Sequence, residues 1–182
     1  MLNVRFATAD DRTSILAVHA AAFGSLQGAE IVKLVDGLLD DATARPLYSL
    51  VAEVDGNVVG HVLFTAVRIQ PEGQQVSAQI LAPLAVVPGQ QGRGVGGALI
   101  HEGLRQFAVA GVELVFVLGY PDYYSRFGFR PARALGFAAP YPIPIEHDDA
   151  WMVQELTPGV IGRVRGTVQC ADTMNDPRHW RE

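Results

Sequence analysis

Gly92, Gly94, Gly96 and Gly97 stand within six positions, leaving the main chain bare where the apolar run Ile80–Val87 hands over to a helical pattern spanning Ala98–Ala110. A helix start carries several unpaired N–H groups and about half a positive elementary charge. Bare backbone there makes a pocket for phosphate or pyrophosphate. A plain glycine-rich turn has the same composition, so the flanks must decide. Gly92-x-Gly94-x-x-Gly97 fits the dinucleotide fingerprint, which also needs an acid roughly 20 residues on, at the end of the next strand. The next strand, Leu114–Gly119, has only Glu113 nearby, and at its start. The nucleoside triphosphate loop lacks its Gly-Lys-Ser/Thr. Other side chains able to do chemistry are Tyr123 and Tyr124 ahead of Gly128, Glu53 and His61 in the first half, Glu155, and the lone Cys170.

A second frame over the same glycines is Gln91-x-x-Gly94-x-Gly96, preceded by Leu84-Ala85-Val86-Val87-Pro88. It resembles the coenzyme-A signature of the GCN5-related N-acetyltransferases (GNAT), Q/R-x-x-G-x-G/A after a strand ending V-x-P. Downstream, Tyr123-Tyr124-Ser125-Arg126-Phe127-Gly128-Phe129 resembles that family's aromatic-Tyr-x-x-x-Gly-Phe segment. The phrases Gly60–Phe64, Leu81–Val86 and Met152–Gly159 are similar to its YhbS-like branch, so the resemblance runs from about residue 3 to 170. It implies an α/β GNAT acyl-CoA acyltransferase fold, a mixed central sheet flanked by helices. It also implies one domain over 1–182, with the core motifs in about 3–132 and acceptor-side strands in about 133–170.

The implied activity is transfer of the acetyl group of acetyl-CoA to a primary amine, by direct attack in a ternary complex. Such a transfer asks a protein to hold the cosubstrate, stabilise an oxyanion, accept a proton from the ammonium and protonate the departing thiolate. The N–H groups of Gly92, Arg93, Gly94, Val95, Gly96 and Gly97 suit the pyrophosphate, and Arg93 adds charge if it folds back. By resemblance, the pantetheine arm pairs with the backbone of Leu84, Ala85 and Val86 like an added strand. The oxyanion would sit near the N–H of Leu84 or Ala85. Tyr124 matches the family's proton donor and Tyr123 its packing aromatic. A phenol near pKa 10 gives its proton to a thiolate of conjugate acid near 8.5 at a cost of about 2 kcal/mol.

The base is not evident. Many relatives carry a Glu in or near the loop-leading strand, yet Ser77–Val87 holds neither acid nor His. Glu53, His61 or a water chain are the alternatives, and His61 equally fits a hydrogen-bonded core histidine. Glu155 suits either the acceptor pocket or a solvated strand face. A coenzyme-A-binding sensor or interaction module without turnover is the rival function on this fold. No metal is implied: no His pair has ligand spacing, and Cys170 lies far from the motif.

Composition sets the bounds. A chain of 182 residues, 49% hydrophobic and 18% charged, can bury a full core and is not of disordered type. Net charge of −5, with Lys33 the one lysine and the arginines scattered, argues against a nucleic-acid partner. Cys170 reads as a small buried thiol. The segment Met1–Arg5 lacks a signal-peptide pattern, and no apolar run approaches the roughly 20 residues that span a bilayer. The expectation is a soluble cytoplasmic protein without a membrane partner; whether it forms a homodimer is left open, the resemblance implying that relatives often pair through their C-terminal strands.

Periodicity then supplies the elements that must position these residues. Asn3–Ala7 alternates as a strand, and Thr13–Phe23 and Glu30–Leu39 have helical spacing. Tyr48–Val54 and Asn57–Ile69 form a hairpin turning at Asp55-Gly56. Gly73 breaks the chain before the strand Val76–Val87. Leu114–Leu118 is a buried central strand, Pro121 opens a short helix ended by Gly128, and Trp151–Leu156 and Gly162–Cys170 are further strands.

Overall fold

Alternating apolar positions build the first half of the sheet. Strand β1 (Leu2–Phe6) pairs antiparallel with β2 (Tyr48–Val54), and β2 with β3 (Asn57–Gln70). The β2–β3 turn uses Asp55 at φ 51° and Gly56 at φ 80°, the left-handed pair a two-residue hairpin demands. Strand β4 (Ala78–Val86) runs antiparallel to β3 and parallel to β5 (Leu114–Leu118). β8 (Trp151–Glu155) then pairs with β5, giving a mixed sheet of order β1-β2-β3-β4-β5-β8-β6, where β6 is Arg130–Pro131. β9 (Gly166–Gln169) joins the end of β3 and pairs parallel with β7 (Phe137–Ala138). The computed structural model describes residues 1–72 and 74–181, so the expected break at Gly73 lies outside the described residues.

Helices cover both faces. Helix α1 (Arg12–Asp40) buries Ile15, Leu34, Val35 and Leu38 on one face, in a cluster with Phe116, Trp151, Met174 and Trp180. Helix α2 (Val95–Ala110) buries Val95, Leu99, Ile100 and Phe107 on the other, with Phe64, Tyr124 and Phe129. Short helix α3 (Pro121–Tyr124) follows β5. The two helices expected before β2 are the halves of α1, which meet at Gly24 with φ 71° and ψ −168°. Between them they make a helical stretch, Ala9–Asp40, long and apolar enough to cross a membrane, where no long apolar run was expected. Here Ile15, Leu34, Val35 and Leu38 pack into the core, and the Gly24 break interrupts the helix axis. Cys170 is partly buried, and desolvation pushes its thiol up to about 12.

The expected strand 162–170 is shorter than its apolar pattern, forming only over β9, because Gly162 and Gly166 both take positive φ. The C-terminal turn Pro177–Trp180 was not expected at all; it buries Trp180 to 1% exposure beside Trp151.

Candidate active site

The glycine loop leaves backbone donors unspent. Gly94 caps α2 at φ 83°, which a residue with a Cβ rarely adopts, and it offers no side chain to the N–H groups behind it. Ala98 N–H donates to Gly94 O at 3.0 Å; the N–H groups of Val95, Gly96 and Gly97 have no protein acceptor among the described residues. They point outward with the positive end of a sixteen-residue helix. Gln91 Nε2 donates to Val86 O at 2.9 Å, tying the loop to the end of β4. A Cβ on Gly96 would lie 2.6 Å from the Tyr123 hydroxyl, so the ring of Tyr123 sits against the first turn of α2.

Beside the loop the sheet opens. β4 and β5 pair only from Ala78–Leu114 to Leu81–Val117, and β4 then runs on to Val86 paired with β3 but not with β5. At the parting, Ala82 and Pro83 together stand opposite Leu63, a bulge that turns β4 away. Proline has no N–H to give to a ladder and is at home in such a place. Val87 N–H donates to Val59 O at 2.9 Å, and the Ala85 carbonyl lies 3.3 Å from where a Gly60 Cβ would be. Both therefore face β3. By strand alternation the main-chain groups of Leu84 and Val86 face the gap.

The gap belongs to a cleft of about 890 Å³, large enough for a cofactor-sized ligand. One end is the glycine loop with α3; the other is lined by Phe23, Gln27, Glu30 and Ile31 of α1 and by Arg178, His179 and Arg181. Because α2 and α1 cover opposite faces, the cleft passes through the sheet. Tyr123 and Tyr124 line it at right angles, 5.0 Å apart. Tyr124 is only 8% exposed, and burial, with Tyr123 beside it, holds its phenol well above the ordinary 10. Burial also raises Tyr123, against the opposing charge of Arg126, whose guanidinium stacks 4.7 Å above its ring.

Every expected site residue except Ala85 and Arg93 lines this cleft. Ala85 is turned toward β3, which leaves Leu84 as the gap-facing member of the pair expected near the oxyanion. Arg93 is exposed and does not fold back; Arg126, three residues beyond Tyr123, is the arginine that lines the glycine-loop end of the cleft. Neither residue weighed as a base reaches the cleft. Glu53 accepts from Arg5 Nη2 at 2.7 Å on the β1–β2 edge. His61 is fully buried, with Nδ1 2.8 Å from His19 Nε2 and Nε2 2.8 Å from Ser49 Oγ. Desolvation lowers both imidazoles, His19 to about 4 and His61 well below its usual range, so both are neutral. Glu155 accepts from Ile161 N–H at 2.9 Å instead of facing the cleft. The residues that sequence reasoning missed are Glu30 and the C-terminal turn. Asp176-Pro177 is a cap-plus-proline helix start and could have flagged that turn.

A family model described as an acetyltransferase (GNAT) domain matches residues 3–132. The uncharacterized N-acetyltransferase YjhQ of Escherichia coli is 45% identical over 163 residues, 89% of this chain and 88% of that protein. The solved structure of the E. coli GNAT-family N-acetyltransferase YhbS, in complex with CoA, superposes with a TM-score of 0.85 at 32% identity, covering 96% of this chain and 92% of that one. A GNAT-family acetyltransferase from Brucella melitensis, in complex with acetyl-CoA, gives 0.75 at 31% identity, covering 96% and 98%.

Proposed function

Because this chain belongs to the GNAT acetyltransferase family, we propose that it transfers the acetyl group of acetyl-CoA to a primary amine by direct attack in a ternary complex. The observation that carries the reading is the open edge of β4 next to the unspent N–H groups of α2. The pyrophosphate of CoA sits on the N–H groups of Val95, Gly96 and Gly97, where the helix field favours negative charge. The pantetheine amides take the place of the missing strand against Leu84 and Val86. CoA and acetyl-CoA in the YhbS and Brucella structures support the choice of ligand.

That placement runs the thioester toward the parting of β4 and β5. The Leu84 N–H, facing the gap, then meets the carbonyl oxygen as it gains charge, and a fixed donor in a dry site is worth several kcal/mol there. Tyr124 stays protonated and donates a hydrogen bond to the departing sulfur. Its burial makes full proton transfer costlier than the roughly 2 kcal/mol an ordinary phenol faces, so sharing the proton with the thiolate suits it better than losing it. The amine enters from the α1 face, since the cosubstrate fills the α2 face.

The test is thiol release from acetyl-CoA against a panel of amines and short peptides, with wild type and Tyr124→Phe, and CoA and NAD binding followed by calorimetry. Amine-dependent release that falls about 10²-fold in the variant, with CoA affinity kept, supports the enzyme. Tight CoA binding without release for any amine favours a sensor on the same fold. Binding of NAD in place of CoA would sink both.

A further inference from the structure

We infer that His179 takes the proton from the attacking ammonium, an assignment that rests on the acetyltransferase reading above. An amine arrives protonated at neutral pH and must lose a proton before its nitrogen can attack. Of the titratable side chains lining the cleft, only Glu30 and His179 are able to accept a proton near neutral pH; the others are tyrosines and arginines. Both stand on the α1 face, across the sheet from the glycine loop, where the acceptor must enter.

The two are not equivalent. Glu30 is 65% exposed and lies 3.7 Å from the guanidinium of Arg178. A carboxylate is also a weaker base than an imidazole by about two pK units. His179 is half-buried, and its ring has no hydrogen-bond partner among the described residues. Its neighbours hold it in place from both sides. Arg178 is bound to Asp176 at 2.8 Å and reaches Glu30, while Trp180 is buried in the core and donates its Nε1–H to Met174 O at 3.2 Å. His179 thus lies between two residues whose side chains have partners, and it lines the cleft.

The step balances simply. His179 accepts one proton from R–NH3+, leaving R–NH2. The nitrogen lone pair forms the N–C bond to the thioester carbonyl, the tetrahedral adduct expels the thiolate, and the second nitrogen proton passes to that sulfur. His179 then returns its proton to solvent. The charged groups around that part of the cleft are Glu30 from α1, Arg178 and Arg181, with Asp176 bound to Arg178.

The acceptor need not be known to test this. S-bromoacetyl-CoA carries a carbon electrophile at the acetyl position, where an imidazole nitrogen displaces bromide. Peptide mass mapping should find the adduct on His179, blocked by excess acetyl-CoA. His179→Gln should lose the adduct while binding CoA with wild-type affinity, and in amine-dependent turnover should fall about 10²-fold. CoA binding that holds, with no adduct on His179 or with the adduct on Glu30, would overturn the assignment alone. Failure of CoA binding in the wild type would overturn the acetyltransferase reading first.

Discussion

A methyl group on Gly96 would lie 2.6 Å from the Tyr123 hydroxyl, the far end of a side chain that can move. Gly96→Ala should therefore leave the fold intact and displace Tyr123 from the loop, weakening CoA about tenfold, or about 1.4 kcal/mol by calorimetry. Unchanged affinity would detach Tyr123 from the phosphate end of the cleft. The buried pair His19 and His61 has a different consequence. Each imidazole has its folded value depressed by burial, so the unfolded chain takes up protons first as pH falls. Stability is full above about 6.5 and declines as pH falls toward the folded value of His19, about 4. By pH 5, His19 alone should cost about 2 kcal/mol. Urea unfolding at pH 7.5 and 5.0 checks this: His19→Gln should show a smaller difference between the two, whatever its stability at pH 7.5. The fourth ring nitrogen of the pair, His19 Nδ1, is buried without a partner among the described residues, which adds to the reason the pair resists charging.

Among the elements, the two most exposed to a single change are the Gly24 joint and the C-terminal turn. Gly24→Ala places a Cβ at φ 71°, in open space but on a strained backbone, and should destabilise by about 1–2 kcal/mol in chemical denaturation. Trp180→Ala removes a ring buried to 1% and should cost about 3–5 kcal/mol. These elements also show how far the sequence could be read. The hairpin at Asp55-Gly56, the strand into the glycine loop, α2 and β5 were legible because local pattern and turn chemistry agree there. The donor half of the cleft was legible for the same reason, since its groups are mostly main chain in one short segment. The bulge at Ala82-Pro83 was not, because it is defined by what β3 does opposite it. The acceptor half was not legible either. It joins residues 23–31 to 178–181, and no local pattern announces a contact made over that separation. Arg126 in place of Arg93 is a similar case: spacing gives the charge but not the direction of its side chain.

For the molecule as a whole, a cleft lined from both faces of one sheet has room for the two substrates of the proposed ternary complex. Initial-velocity lines at several fixed acetyl-CoA concentrations should intersect when amine is varied; parallel lines, the signature of a covalent enzyme intermediate, would contradict direct transfer. Cosubstrate binding should also stabilise the fold, by about 2.7 kcal/mol at a hundred times its Kd, read as a shift in Tm. The unpaired stretch of β4 carries one more implication. A row of free main-chain groups is a template for any passing extended chain, and proteins ordinarily hide or disrupt such rows. With CoA bound as proposed, the cosubstrate covers the row, apart from the Val86 carbonyl that Gln91 Nε2 already occupies. Protein stripped of nucleotide should then clump on gentle warming where loaded protein stays clear, making the cell's thioester supply a guardian of solubility as well as a reactant.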